Sequence, residues 1–207
     1  GGKPHPVLGY IQKGFYVEGQ SLREMADEGL AVFQEGGFEY MKMRVGRNGV
    51  KEAVERVEIM RKTLGDKAKL MVDVNQAWTL DEALEGARAL APYNLTWIEE
   101  PISRKKGGGA VDIDAEMGRF HEKSPIPLAA GENHKGLYES NSLVMKAKPK
   151  YMQLDICKQS GGLSEWVKVQ GICLANGVLM APHVAPHFHV QLVAAVSNGF
   201  IIEICDN

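Results

Sequence analysis

The sequence predicts an α/β fold of the (β/α)8 barrel type, and three observations carry that expectation. Short β-rich runs alternate with longer amphipathic runs along all 207 residues, which is the pattern of repeated strand–helix units around a parallel sheet. Eight strands can be counted in this way, with seven helices between them. No GxGxxG follows an early strand, as an open dinucleotide-binding sheet would require.

The strands are expected at 7–12, 40–45, 70–75, 95–99, 126–130, 151–157, 178–182 and 200–204. Ser21 with Glu24, and Thr79 with Glu82, have the spacing of a capping box, in which side chains satisfy the first free N–H groups of a helix. Leu22, Met25, Leu30 and Phe33 fall on one helical face, as do Val50, Val54, Val57 and Leu64, and these faces should cover the outside of the sheet. Gly36, Gly65 and Gly177 follow helices where the chain must reverse toward the next strand. A barrel of this kind typically needs about 250 residues. The eighth strand ends almost at the last residue, so the expectation is one slightly truncated barrel domain over residues 1–207, without an eighth helix.

Composition excludes several function classes. A formal net charge of −2 without a long Lys/Arg block gives no reason to expect a nucleic acid or an anionic membrane as partner. The basic run at 104–106 leads into glycines at 107–109 without the Lys-Ser/Thr of a phosphate loop, and reads as a flexible insertion. Cys157, Cys173 and Cys205 are odd in number and lack CxxC spacing, so reduced thiols in a cytoplasmic protein fit best. No apolar stretch approaches the roughly 20 residues of a membrane span, and residues 1–6 are no signal peptide.

The chemistry is expected at the strand ends. Asp73, Glu99 and Glu132 each end an apolar run, LMVDVN, LTWIEEP and IPLAAGEN, and parallel strands would bring them together at the C-terminal edge of the sheet. Three converging carboxylates repel one another unless a hard divalent cation lies between them, and oxygen ligands suit Mg²⁺. Lys42 and Arg44, two apart on a strand, point the same way. Asp155, Lys158, His183 and Glu203 close further strands, and a carboxylate one strand from an imidazole fixes its tautomer and makes a general base. His187 and His189 form an HxH, but are expected after the turn on the first part of a helix, as packing or rim residues. His5 and His121 carry no pattern, and His134 directly follows Gly131-Glu132-Asn133, within reach of a substrate.

In that order the motifs resemble the barrel domain of the enolase superfamily, in its mandelate racemase-like branch. KMR at 42–44 resembles the KxK motif of the second strand, and DVN at 73–75, IEEP at 98–101 and GEN at 131–133 resemble the three metal-ligand motifs. LDICK at 154–158 with Gly161 and Gly162, then His183, then Glu203, complete the series. The resemblance implies that Asp73, Glu99 and Glu132 bind Mg²⁺, with Glu100 beside them but not a ligand. It implies an Asp155–His183 catalytic dyad on one side of the substrate, Lys42 and Arg44 on the other, and Glu203 on the substrate carboxylate. Asn75 and Lys158 join them as substrate contacts. The shared step is removal of the proton α to a carboxylate, with the metal stabilising the enolate.

Two departures shape the expectation. Arg44 stands where this branch usually has Lys, and Arg stays protonated at physiological pH, so two-base racemisation is disfavoured and one-base β-elimination of water from a sugar acid is expected. A racemase or epimerase using Lys42 and His183 is the enzyme alternative, and a non-catalytic barrel kept as a binding module is the alternative of another class. The resemblance also implies an N-terminal α+β capping domain, which is expected to lie outside residues 1–207. The expected partner is a small carboxylate, and barrels of this kind commonly form homo-oligomers.

Overall fold

The computed structural model describes residues 6–106, 112–157 and 161–205. Among these, eight parallel strands alternate with seven α-helices: β1 Leu8–Lys13, α1 Leu22–Glu35, β2 Tyr40–Arg44, α2 Val50–Leu64, β3 Lys69–Asp73, α3 Leu80–Leu90, β4 Ile98–Glu99, α4 Ile113–Lys123, β5 Leu128–Ala130, α5 Gly136–Ala147, β6 Tyr151–Met152, α6 Leu163–Ala175, β7 Leu179–Met180, α7 Pro186–Ala195 and β8 Ile201–Ile204. The ladder runs β7-β6-β5-β4-β3-β2-β1-β8. A parallel bridge between Met180 and Gly199 joins its two ends, so the sheet closes on itself as the expected α/β barrel.

Both expected capping boxes form, with Ser21 and Thr79 each accepting from the backbone N–H three residues on. The buried stripe of α1 is Met25, Ala26 and Gly29. Gly29 is there for clearance, since a Cβ would stand 2.9 Å from the Met60 side chain of α2. On α2 the expected apolar face shares its burial with two charged residues, Arg56 and Arg61. Their guanidinium groups cap carbonyls: Arg56 donates to Gly14 O (2.6 Å) and Arg44 O (3.1 Å), and Arg61 to Ala68 O (2.7 Å) and Tyr93 O (3.1 Å).

Several strands are shorter than expected. The 151–157 run pairs only over Tyr151–Met152, and 95–99 only over Ile98–Glu99. The third strand stops at Asp73 because Asn75 and Gln76 turn into the left-handed region, with φ of 48° and 59°. Residues beyond these points belong to the loops that rim the barrel mouth.

Two cores result. The larger joins strand residues to the helices. The smaller, Tyr10, Met71, Trp97, Ala129, Tyr151, Ala181 and Ile201, contains no helix residue and fills the inside of the barrel. Side chains two residues apart on a strand share a face. Above this plug therefore stand Gln12, Asp73, Glu99, Gln153, His183 and Glu203, each two residues beyond a member of it.

Candidate active site

The polar ring is built from strand ends in register. Arg44 pairs with Asp73 across β2 and β3, and Asp73 with Glu99 across β3 and β4. Glu132 follows β5 after Gly131, whose φ of 133° admits the close approach of the Met152 side chain. Asp155 and His183 lie in the turns after β6 and β7, and Glu203 lies within β8. Lys158 lies outside the described residues.

Lys42 is buried at the centre of one wall. Its ammonium lies 2.8 Å from Glu99 Oε1, 3.1 Å from Glu203 Oε1 and 3.3 Å from the Tyr10 hydroxyl. Burial alone would lower its pKa, but Glu203 and Glu99 outweigh that and hold it well above the usual lysine range. Glu99 also accepts from Trp97 Nε1 at 3.2 Å. Burial, with Asp73, Glu132 and Glu203 adding repulsion against the pull of Lys42, pushes the Glu99 carboxyl up to about 8. Arg44 Nε is 3.3 Å from Asp73 Oδ2. The Gln12 amide, with its nitrogen toward Glu203, donates to Oε1 at 2.7 Å while its oxygen accepts from Arg44 Nε at 3.2 Å.

On the other wall His183 sits between two carboxylates. Its Nδ1 is 3.1 Å from Asp155 Oδ2, and its Nε2 is 2.9 Å from Glu132 Oε2. Burial opposes protonation of the ring, yet Asp155 and Glu132 raise its pKa to about 10. Glu132 responds in the opposite sense: burial would raise its carboxyl, but His183 takes it down to about 2. Glu100, beside the ring, turns away from it. It adopts a φ of 41°, accepts from Gly131 N–H at 3.0 Å and Gln76 Nε2 at 3.3 Å, and so bridges the ends of β4 and β5.

The donor set suits a hard cation. Among the described residues, five carboxylates, Asp73, Glu99, Glu132, Asp155 and Glu203, converge on Lys42, Arg44 and His183. Two buried oxygens, Asp73 Oδ2 and Glu132 Oε2, lie within ion-pair reach of Arg44 and His183 but accept no aligned hydrogen bond. Converging buried carboxylates with oxygens that accept no hydrogen bond are what a divalent cation neutralises. Among the described residues the side chains are not already gathered as a coordinating set, because Glu99 faces Lys42 and Glu132 faces His183.

Asn75 donates its N–H to Asp73 Oδ1 at 2.8 Å and lines a cavity of about 350 Å³ together with Arg44, Arg47 and Tyr16. A cavity of about 620 Å³ between α1 and α2 lies on the outside of the barrel, far from this chemistry. Tyr10, Gln12 and Trp97 were not singled out by patterning, although each is two residues from a ring or plug position on its own strand.

A family model described as enolase C-terminal domain-like matches residues 24–206. The chain belongs to that family. The enolase C-terminal-like chain is 37% identical over 182 residues to 3,6-anhydro-alpha-L-galactonate cycloisomerase of Streptomyces coelicolor, covering 88% of this chain and 47% of that protein. It is 30% identical over 183 residues to arabinonate dehydratase of Saccharolobus solfataricus, again covering 88% and 47%. A crystal structure of a racemase from Streptomyces coelicolor with bound magnesium superposes with a TM-score of 0.85 at 33% identity, over 96% of this chain and 56% of that one. The chain thus spans about half the length of the relatives it matches. Relatives named as cycloisomerases, dehydratases, epimerases and racemases all occur, so family membership does not choose the reaction. No helix among the described residues is long and apolar enough to cross a membrane.

Proposed function

We propose that this barrel carries the catalytic half of a Mg²⁺-dependent acid-sugar dehydratase. The observation that carries the reading is the asymmetry of the two walls. His183, backed by Asp155, presents Nε2 to the ring interior, whereas the opposing wall offers Arg44 and a Lys42 ammonium already engaged by Glu99, Glu203 and Tyr10. Such a site has one base and one cationic face, which suits elimination rather than a two-base inversion.

Asp73, Glu99 and Glu132 would hold the metal, Glu99 turning from Lys42 and Glu132 from His183. When bound, Mg²⁺ supplies positive charge where an enolate oxygen develops. With Glu132 turned away, His183 loses one of the two carboxylates that hold its proton, and as the neutral ring its Nε2 takes the α-proton, the C–H electron pair passing into the carboxylate as an enolate. That electron pair then expels the β-hydroxyl, to which the imidazolium returns the proton, so water leaves and the enol tautomerises to a 2-keto-3-deoxy acid. Lys42 stabilises the charge opposite, and Glu203 holds the Lys42 ammonium in place for the substrate carboxylate. Asn75 and Lys158 serve as substrate contacts.

Incubating the protein with Mg²⁺ and a panel of aldonic, aldaric and anhydro-sugar acids tests the reading. Formation of a keto acid with loss of water from an aldonic or aldaric acid supports it; a keto acid formed only from an anhydro-sugar acid, without loss of water, points to cycloisomerisation, and α-deuterium exchange without keto acid points to epimerisation. Glu132→Gln should weaken Mg²⁺ binding by at least about 100-fold, since even groups behind a ligand are worth about 10–100-fold. Unchanged Mg²⁺ affinity and turnover in that variant would sink the metal-enzyme reading in favour of a binding module.

A further inference from the structure

We infer that His189 is a positioning residue for the Asp155–His183 pair, its imidazole acting as a strut between the turn after β6 and the turn after β7. The inference rests on the reading of His183 as the base. His189 lies on α7 and is fully buried. Its Nε2 accepts the backbone N–H of Ile156 at 3.2 Å, and its Nδ1 faces Val184 O at 2.7 Å. A backbone N–H can only donate and a carbonyl can only accept, so both partners together dictate one tautomer, with the proton on Nδ1.

Both partners adjoin the dyad. Ile156 follows Asp155, and Val184 follows His183. Val184 and Ala185 hold φ of 44° and 48°, a conformation that is strained for a residue other than glycine and most of all for a β-branched one. Strain of this kind persists only where neighbours over-determine it. The Val184 unit is held from two sides: its N–H donates to Glu203 Oε2 at 2.9 Å, and its carbonyl accepts from His189. The backbone that aims His183 is therefore fixed to β8 and to α7, and through Ile156 to the loop that carries Asp155. Burial lowers the His189 pKa, in keeping with a neutral ring.

Histidine-selective ¹⁵N labelling and three proteins test this: wild type, His189→Leu, which removes both bonds, and His189→Asn, whose amide can still donate to Val184 O. The wild-type spectrum should show a neutral His189 protonated on Nδ1, and a His183 Nδ1 proton protected from exchange by Asp155. His189→Leu should lose that protection and lower kcat about 10–100-fold with KM and Mg²⁺ affinity within about twofold, and His189→Asn should recover most of both. A wild-type His189 protonated on Nε2 would overturn the inference. So would a folded His189→Leu variant with kcat and His183 proton exchange unchanged, or Leu and Asn variants equally impaired, which is the outcome of a merely structural role. If the wild type turns over no acid, the proposed function fails, and the tautomer and exchange measurements still decide the role of His189.

Discussion

Replacing Asp155 by Asn tests the dyad with a change of one atom. In the wild type Asp155 Oδ1 accepts the Cys157 N–H at 2.8 Å, and Oδ2 faces His183 Nδ1 at 3.1 Å. The amide introduced by Asp155→Asn must keep its oxygen on the Cys157 N–H, because the reverse orientation sets an NH2 against an N–H donor. Its NH2 then faces His183 Nδ1, which becomes an acceptor, and a neutral ring must carry its proton on Nε2. That is the nitrogen assigned to take the α-proton. Restoring the productive tautomer requires inverting the amide, which satisfies His183 Nδ1–H but sets the NH2 against the Cys157 N–H and leaves those two donors unpaired, at about 1–3 kcal/mol for each unsatisfied buried group. The sum, about 2–6 kcal/mol, corresponds to a rate loss of roughly 30-fold to 3 × 10⁴-fold. An analogous Asp→Asn change behind a catalytic His lowers kcat about 10⁴-fold in a serine protease. Single-turnover α-deuterium exchange, with circular dichroism to confirm folding and calorimetry to show Mg²⁺ affinity preserved within about twofold, is the assay. A folded variant that keeps more than about a tenth of wild-type exchange would refute the assignment of Asp155 as the tautomer-setting partner.

Two further outcomes follow from packing. Gly118→Ala places a Cβ 2.5 Å from Lys146 O, backbone that cannot step aside, whereas Gly171→Ala meets nothing within 4 Å. Alanine gains about 0.5–1 kcal/mol of helix propensity at both sites, but overpacking costs about 1–3 kcal/mol, so Gly118→Ala should lower and Gly171→Ala raise the urea midpoint. Equal shifts in one direction would contradict the α4–α5 contact. Burial pushes the Cys173 thiol up to about 12, so at pH 8 roughly one molecule in 10⁴ carries the thiolate. Native protein should therefore alkylate at the exposed Cys157 and react at Cys173 only after unfolding, and mass spectrometry of labelled peptides reads the difference.

Much of the barrel was legible because its signals are local. Alternation of short β-branched runs with 3.6-period helices, capping boxes at Ser21 and Thr79, and the long spacing needed by parallel crossovers all reside in contiguous residues. Strand ends were less legible, because a β-run pairs only as far as its neighbours remain alongside. Leu154 and Asp155 continue an apolar run but have left the ladder. The buried Arg56 and Arg61 were invisible for a related reason, since the carbonyls they satisfy belong to other segments of the chain.

The candidate site divides the same way. By itself the sequence determined which ionisable residues lie at or just beyond the apolar runs, and period-two alternation then dictated that Tyr10 and Gln12, Trp97 and Glu99, or Ile201 and Glu203 share a face. Only the tertiary structure decided their pairings: Lys42 with Glu99 and Glu203, His183 with Asp155 and Glu132, and His189 with the backbone on either side of the dyad. Side-chain partners across a barrel are separated by up to 191 residues of chain, from Gln12 to Glu203, and no local pattern encodes such a distance. Closure of the sheet brings them within hydrogen-bond reach, and burial there makes each choice of partner energetically decisive.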